Sequence, residues 1–159
     1  MSLSLHFTAI RTAHKIRVNW ALAEEIILLD KLISEVTQHF PDLSFRVDSK
    51  KRQITIPSGN KDIGDLLVYD DTDELTVYVG NFTHWHASAS EGDTKNHDTE
   101  TVELVIEFLS DLIQDQIVMW GNGESLGGFY NINKDEAEQD TPLKAEVVKK
   151  YVWSGREIS

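Results

Sequence analysis

Residues 66–79 read LLVYDDTDELTVYV: two apolar runs, Leu66–Tyr69 and Leu75–Val79, flank Asp70-Asp71-Thr72-Asp73. Short polar side chains that bond their own backbone favour a turn at such a cluster, so the segment predicts a β-hairpin. A second pair precedes it. Leu43, Phe45 and Val47 alternate with Ser44, Arg46 and Asp48, and Ile54 and Ile56 alternate within Gln53–Pro57, across Ser49-Lys50-Lys51. Side chains on a strand point to opposite faces in turn, so this period of two predicts one buried and one solvated face.

The period changes on both sides of these hairpins. From Val18 to Phe40, Leu22, Ile26, Leu29, Ile33 and Val36 recur at spacings of three and four, which predicts a helix that Pro41 ends. After the polar stretch Ser88–Asn96, a second helix is expected over Asp98–Asp115, with Asp98 as its N-cap and Val102, Val105, Ile106, Leu109, Leu112 and Ile113 as its buried face. Glu100 and Glu103 lie near its start, where the helix dipole favours negative charge. Three short apolar runs follow, Ile117–Trp120, Phe129–Ile132 and Val147–Trp153. The glycine-rich tract 121–128 reads as a hairpin turn, and the acidic loop 133–145 separates the last two runs. Hairpin-length connections imply an antiparallel sheet, and amphipathic helices need a face to cover. The expectation is a single α+β domain over residues 18–159, with a mainly antiparallel sheet of about six to seven strands under two long helices. Residues 1–17 form a basic extension, with Arg11, Lys15 and Arg17 and no acid.

Charge is the strongest compositional signal. The net charge is −12, and between Asn60 and Asp115 fourteen acids face only Lys61 and Lys95. Such a body is repelled by nucleic acid and by anionic membrane surfaces, so neither is an expected partner. A basic protein is the matched one. The chain contains no cysteine, which excludes disulfides, thiolate metal sites and a cysteine nucleophile, and fits a reducing cytoplasm. No apolar run reaches the length of a membrane span.

The acids fall into two groups. Glu100, Glu103, Glu107 and Asp111 recur at spacings of three, four and four, so they share one helix face with no lysine to relieve their repulsion. This anionic ridge is the expected docking surface, with Asp70, Asp71, Asp73 and Glu74 of the hairpin turn and the ring of Trp85 as contributors. A solvated face kept for solubility is the plainer alternative.

His84-Trp85-His86 is the sharpest local motif. On a strand continuing from Leu75 the two imidazoles project from one face and offer two nitrogens to one metal. His97, Glu91 and Asp93 are the further candidate ligands for zinc or iron. His84, His86 and Glu91 resemble the first metal-binding motif of the cupin β-barrels, and the alternative function is a metal-dependent or small-molecule-binding enzyme using this His-x-His site. The resemblance covers only that stretch: Gly80 sits closer to His84 than in that family, and no histidine follows His97.

In size, charge and layout, residues 18–155 resemble the small acidic α+β immunity proteins that neutralise bacterial toxins, many of them basic nucleases. The resemblance implies a non-enzymatic binder of a basic toxin, needs no cofactor, and carries no diagnostic motif from which site residues transfer.

Overall fold

The computed structural model describes residues 27–89, 96–122, 126–134 and 148–158. Helix α1 (Ile27–His39) is followed by five strands: β1 (Arg46–Asp48), β2 (Gln53–Ile56), β3 (Leu66–Asp70), β4 (Leu75–Val79) and β5 (Thr83–Ala87). Then come helix α2 (His97–Ile113) and strands β6 (Ile117–Gly121), β7 (Gly127–Asn131), β8 (Lys149–Tyr151) and β9 (Glu157–Ile158). The α+β class therefore stands, but the strands divide into two antiparallel sheets, ordered β1-β2-β3-β4-β5 and β7-β6-β8-β9. A single sheet was the sequence expectation; periodicity identifies strands without saying which edges meet. Helix α1 is described from Ile27 to His39; the expected start at Val18, with Leu22 and Ile26, lies in residues 1–26, outside the described residues.

The first sheet is a meander in which each strand pairs with the next, as hairpin-length turns require. Its inner face carries Ile54, Ile56, Leu66, Val68, Leu75, Val77 and Val79, all buried. Both helices cover that face: Leu32 and Val36 from α1, and Val102, Val105, Leu109 and Leu112 from α2, join one continuous core with Ile117, Met119 and Tyr151 of the second sheet. Phe108 belongs to this buried set, whereas Ile113 stands exposed. Strand β6 is buried along its whole length because β7 and β8 flank it.

Two glycines hold close approaches. Gly80, at φ +55°, turns the chain between β4 and β5, and a Cβ there would sit 2.1 Å from the Ile63 carbonyl oxygen. The strand from Leu75 consequently ends at Val79, and the His-x-His segment occupies a strand of its own. Gly127 opens β7 against Phe82, where a Cβ would meet the Phe82 carbonyl oxygen at 2.2 Å. This contact brings β7 beside β5 without pairing to it. No helix among the described residues is long and apolar enough to cross a membrane.

Candidate functional site

The acids of the hairpin turn are mostly engaged within the fold. Asp70 is the clearest case, and here the docking expectation is corrected. Its side chain is fully buried, accepting hydrogen bonds from Arg52 Nη2 (2.7 Å), the Thr72 amide (2.9 Å) and the Leu29 amide (3.1 Å). Leu29 belongs to α1, so Asp70 ties the β3 end of the sheet to that helix through a backbone amide. Asp71 accepts a 2.5 Å hydrogen bond from the Thr76 hydroxyl, and Glu74 Oε1 lies 2.8 Å from His86 Nδ1. Asp73 alone of the four is exposed without a described partner.

Helix α2 behaves differently. It begins one residue before Asp98, and Asn96 precedes it with no side-chain cap, so Asp98 and Glu100 sit in its first turn. Glu100, Glu103 and Glu107 are exposed, and among the described residues none forms an ion pair. Asp111 is half-buried instead, its Oδ2 accepting from Asn131 Nδ2 at 2.6 Å. The ridge therefore comprises three free carboxylates and a fourth tied to β7. Asp115, beyond the helix, accepts the Ser154 amide at 2.9 Å.

Two hollows flank the ridge. One, of about 270 Å³, lies between the helices and brings Glu35 of α1 beside Glu103 and Glu107, with Lys31 on the same wall. Lys31 Nζ is itself donated to the Thr99 hydroxyl. The other, of about 540 Å³, opens between β5, α2 and β7, a size suited to a small ligand or an inserted side chain. Leu104, Glu107, Phe108 and Asp111 present one stripe of α2 to it, with Glu107 and Phe108 three and four residues after Leu104 and Asp111 one turn further on. Trp85, Phe129 and Tyr130 supply the facing aromatic walls, and Lys134 reaches its rim.

The rings interlock. Trp85 lies 5.4 Å from Phe108, and Phe108 meets Phe129 edge-on at 5.2 Å. Trp85 Nε1 is buried and finds no acceptor among the described residues. An unmade hydrogen bond at a buried donor costs free energy, and a polar group entering the cavity is one way to recover it. Partial burial pushes the Tyr130 hydroxyl above its ordinary pKa of 10.0. Trp85 thus joins Glu107 and Asp111 in one concavity, while the hairpin acids are not part of its lining.

His84 and His86 do share a face of β5, opposite Trp85. His86 stands across from Thr76 and His84 across from Tyr78, on the solvent side of the sheet. The His84 ring stacks on Tyr78 at 5.2 Å and meets His86 edge-on at 5.4 Å. His97 lies apart at the start of α2, near Ser88 and Asp98. Glu91 and Asp93 are outside the described residues, and among those described no group of three or more histidines and acids is placed to hold a metal.

The chain matches no protein-family model, no curated protein and no solved structure. Function is therefore argued from the site itself. Phe129, Tyr130 and Asn131 were not singled out in the sequence; the signal was an aromatic pair directly after a glycine-rich tract, which reads equally well as ordinary core.

Proposed function

We propose that the protein is a non-enzymatic acidic binding protein that docks a basic protein, and that it acts in the cytoplasm as an immunity-type inhibitor of a basic toxin. The observation that carries this reading is the sharing of one cavity by Glu107, Asp111, Trp85, Phe108, Phe129 and Tyr130. Aromatic faces attract cations, and a guanidinium within reach of a ring and a carboxylate together gains from both. An arginine of the partner enters the cavity, while Glu103 and Glu100 meet further basic groups outside it. The free carboxylates speed encounter through long-range attraction, and the aromatic pocket lengthens residence once contact is made.

The test uses an arginine-rich peptide as probe, its binding to the full chain followed calorimetrically at low and at raised salt. Reversing Glu103 and Glu107 to Lys should weaken binding sharply, and the same change of net charge made at Asp42 and Asp62, exposed acids outside this surface, should change it little. Equal weakening by both would mean attraction to net charge alone and would end the docking proposal. Substituting lysine for arginine in the peptide separates the pocket from the ridge. A planar guanidinium stacks on rings as an ammonium does not, so the lysine peptide should bind less tightly.

A further inference from the structure

The outer face of β5 carries a second chemistry that does not draw on the acidic ridge, although His84 also lies at the edge of the cavity. The geometry points to a divalent-metal site built from His84 and His86, taking an imidazole-preferring ion such as Zn²⁺ or Cu²⁺. Zinc–nitrogen bonds near 2.0–2.1 Å place each ring centre about 3.2 Å from the ion, so two imidazoles at a tetrahedral angle have centres about 5.2 Å apart. The two rings stand 5.4 Å apart, their planes at 84°. The spacing of the ring centres is thus already that of two imidazoles on one ion.

The surroundings prepare His86 for this role. Its Nδ1 faces Glu74 Oε1 at 2.8 Å and Thr76 Oγ1 at 3.2 Å. The Thr76 hydroxyl proton is already donated to Asp71 Oδ2, so both oxygens facing Nδ1 act as acceptors. Nδ1 accordingly carries the proton, and Nε2 keeps its lone pair for a metal. A carboxylate behind a ligating imidazole in this way fixes the ring and raises its basicity, as in carboxylate–histidine–zinc arrangements. Stacking on Tyr78 restrains His84 in turn. Two nitrogens suit Zn²⁺, Ni²⁺ and Cu²⁺ and not the oxygen-seeking Mg²⁺ or Ca²⁺. With two protein ligands the ion keeps open positions, for water or for a donor from another molecule. Asp71 and Glu74, which look from sequence like docking acids, serve here to position a ligand.

The experiment titrates the untagged full chain with ZnCl₂, CuCl₂ and MgCl₂ in a calorimeter. One Zn²⁺ should bind per chain, Cu²⁺ more tightly, and Mg²⁺ not measurably. H84A and H86A should each abolish binding, and E74Q should weaken it about 10-fold while leaving both imidazoles in place. H39A, altering an exposed histidine on α1, should change nothing. His84→Gln and His86→Gln serve as second variants should the alanine forms fold poorly. Histidine ¹⁵N spectra give an independent readout: His86 should carry its proton on Nδ1 before Zn²⁺ is added, and its Nε2 resonance should move on addition. Undiminished binding in the His84/His86 double variant, or a proton on Nε2 in the metal-free chain, would overturn the assignment.

Discussion

The β3–β4 turn and the exposed face of α2 are equally acidic in sequence, yet the fold treats them in opposite ways. In the turn, Asp70, Asp71 and Glu74 each answer a specific donor within the protein. On the helix, Glu100, Glu103 and Glu107 answer none among the described residues, although like charges one turn apart destabilise a helix by a few tenths of a kcal/mol per pair. A carboxylate with an internal partner contributes to folding whatever else it does. One that repels its neighbours and has no such partner contributes less, and it stays available to a group from outside the fold. Negative charge alone thus says little about docking; absence of an internal partner says more.

The largest effect should come from Asp70. Its removal leaves Arg52 without its counter-ion and two amides, those of Leu29 and Thr72, without acceptors. Asp70→Ala should lower stability by about 3–5 kcal/mol, the range for breaking one side of a buried ion pair. Arg52→Ala should do comparable damage by stranding a fully buried carboxylate. Chemical denaturation measures both, and a loss below about 1 kcal/mol would erase the distinction between the two regions. Asp111 sits between the extremes. Asp111→Ala should lose about 1–3 kcal/mol, since it leaves Asn131, itself buried, without that acceptor.

This ordering explains what the sequence could and could not disclose. Strands β3 and β4 and most of α2 followed from apolar spacing, because each buries a face whose period is local. The separation into two sheets did not, because β8 pairs with β6 across the whole β7 hairpin and the acidic loop, and no local pattern encodes that partner. Glu103 and Glu107 were legible as neighbours from helical spacing alone. Asp70 was not distinguishable from Asp73 in a run of turn-forming residues; only the approach of Arg52 and α1 assigns one to the interior. The aromatic cavity was half legible. Leu104, Glu107, Phe108 and Asp111 recur on one stripe, but the opposing wall of Phe129 and Tyr130 arrives through the close contact of Gly127 with Phe82.

On the helix the expectation reverses. Glu103→Lys with Glu107→Lys should leave stability within about 0.5 kcal/mol of wild type, or raise it slightly, as surface substitutions away from specific contacts do. Association with a basic partner should slow, and the difference from wild type should shrink as salt screens the attraction. Stopped-flow mixing at two ionic strengths separates the two consequences. Loss of stability in this variant would place the ridge in the same class as Asp70.

The smallest effect belongs to Tyr130, and it joins the helix face to the cavity beside it. Burial raises its pKa above 10.0, so the folded state holds the phenolic proton more tightly than the unfolded chain does. Below pH 10 both states are protonated and stability is indifferent to this group. As pH rises through 10 the unfolded chain releases its proton first, and stability declines until the folded-state pKa is passed. Tyr130→Phe should remove that decline, visible as a smaller drop in denaturation midpoint between pH 9.5 and 11. A cation in the cavity favours the phenolate and opposes the effect of burial. Arginine-peptide binding should therefore lower the Tyr130 pKa in an ultraviolet titration, whereas a peptide held only on the outer ridge should leave it where burial sets it.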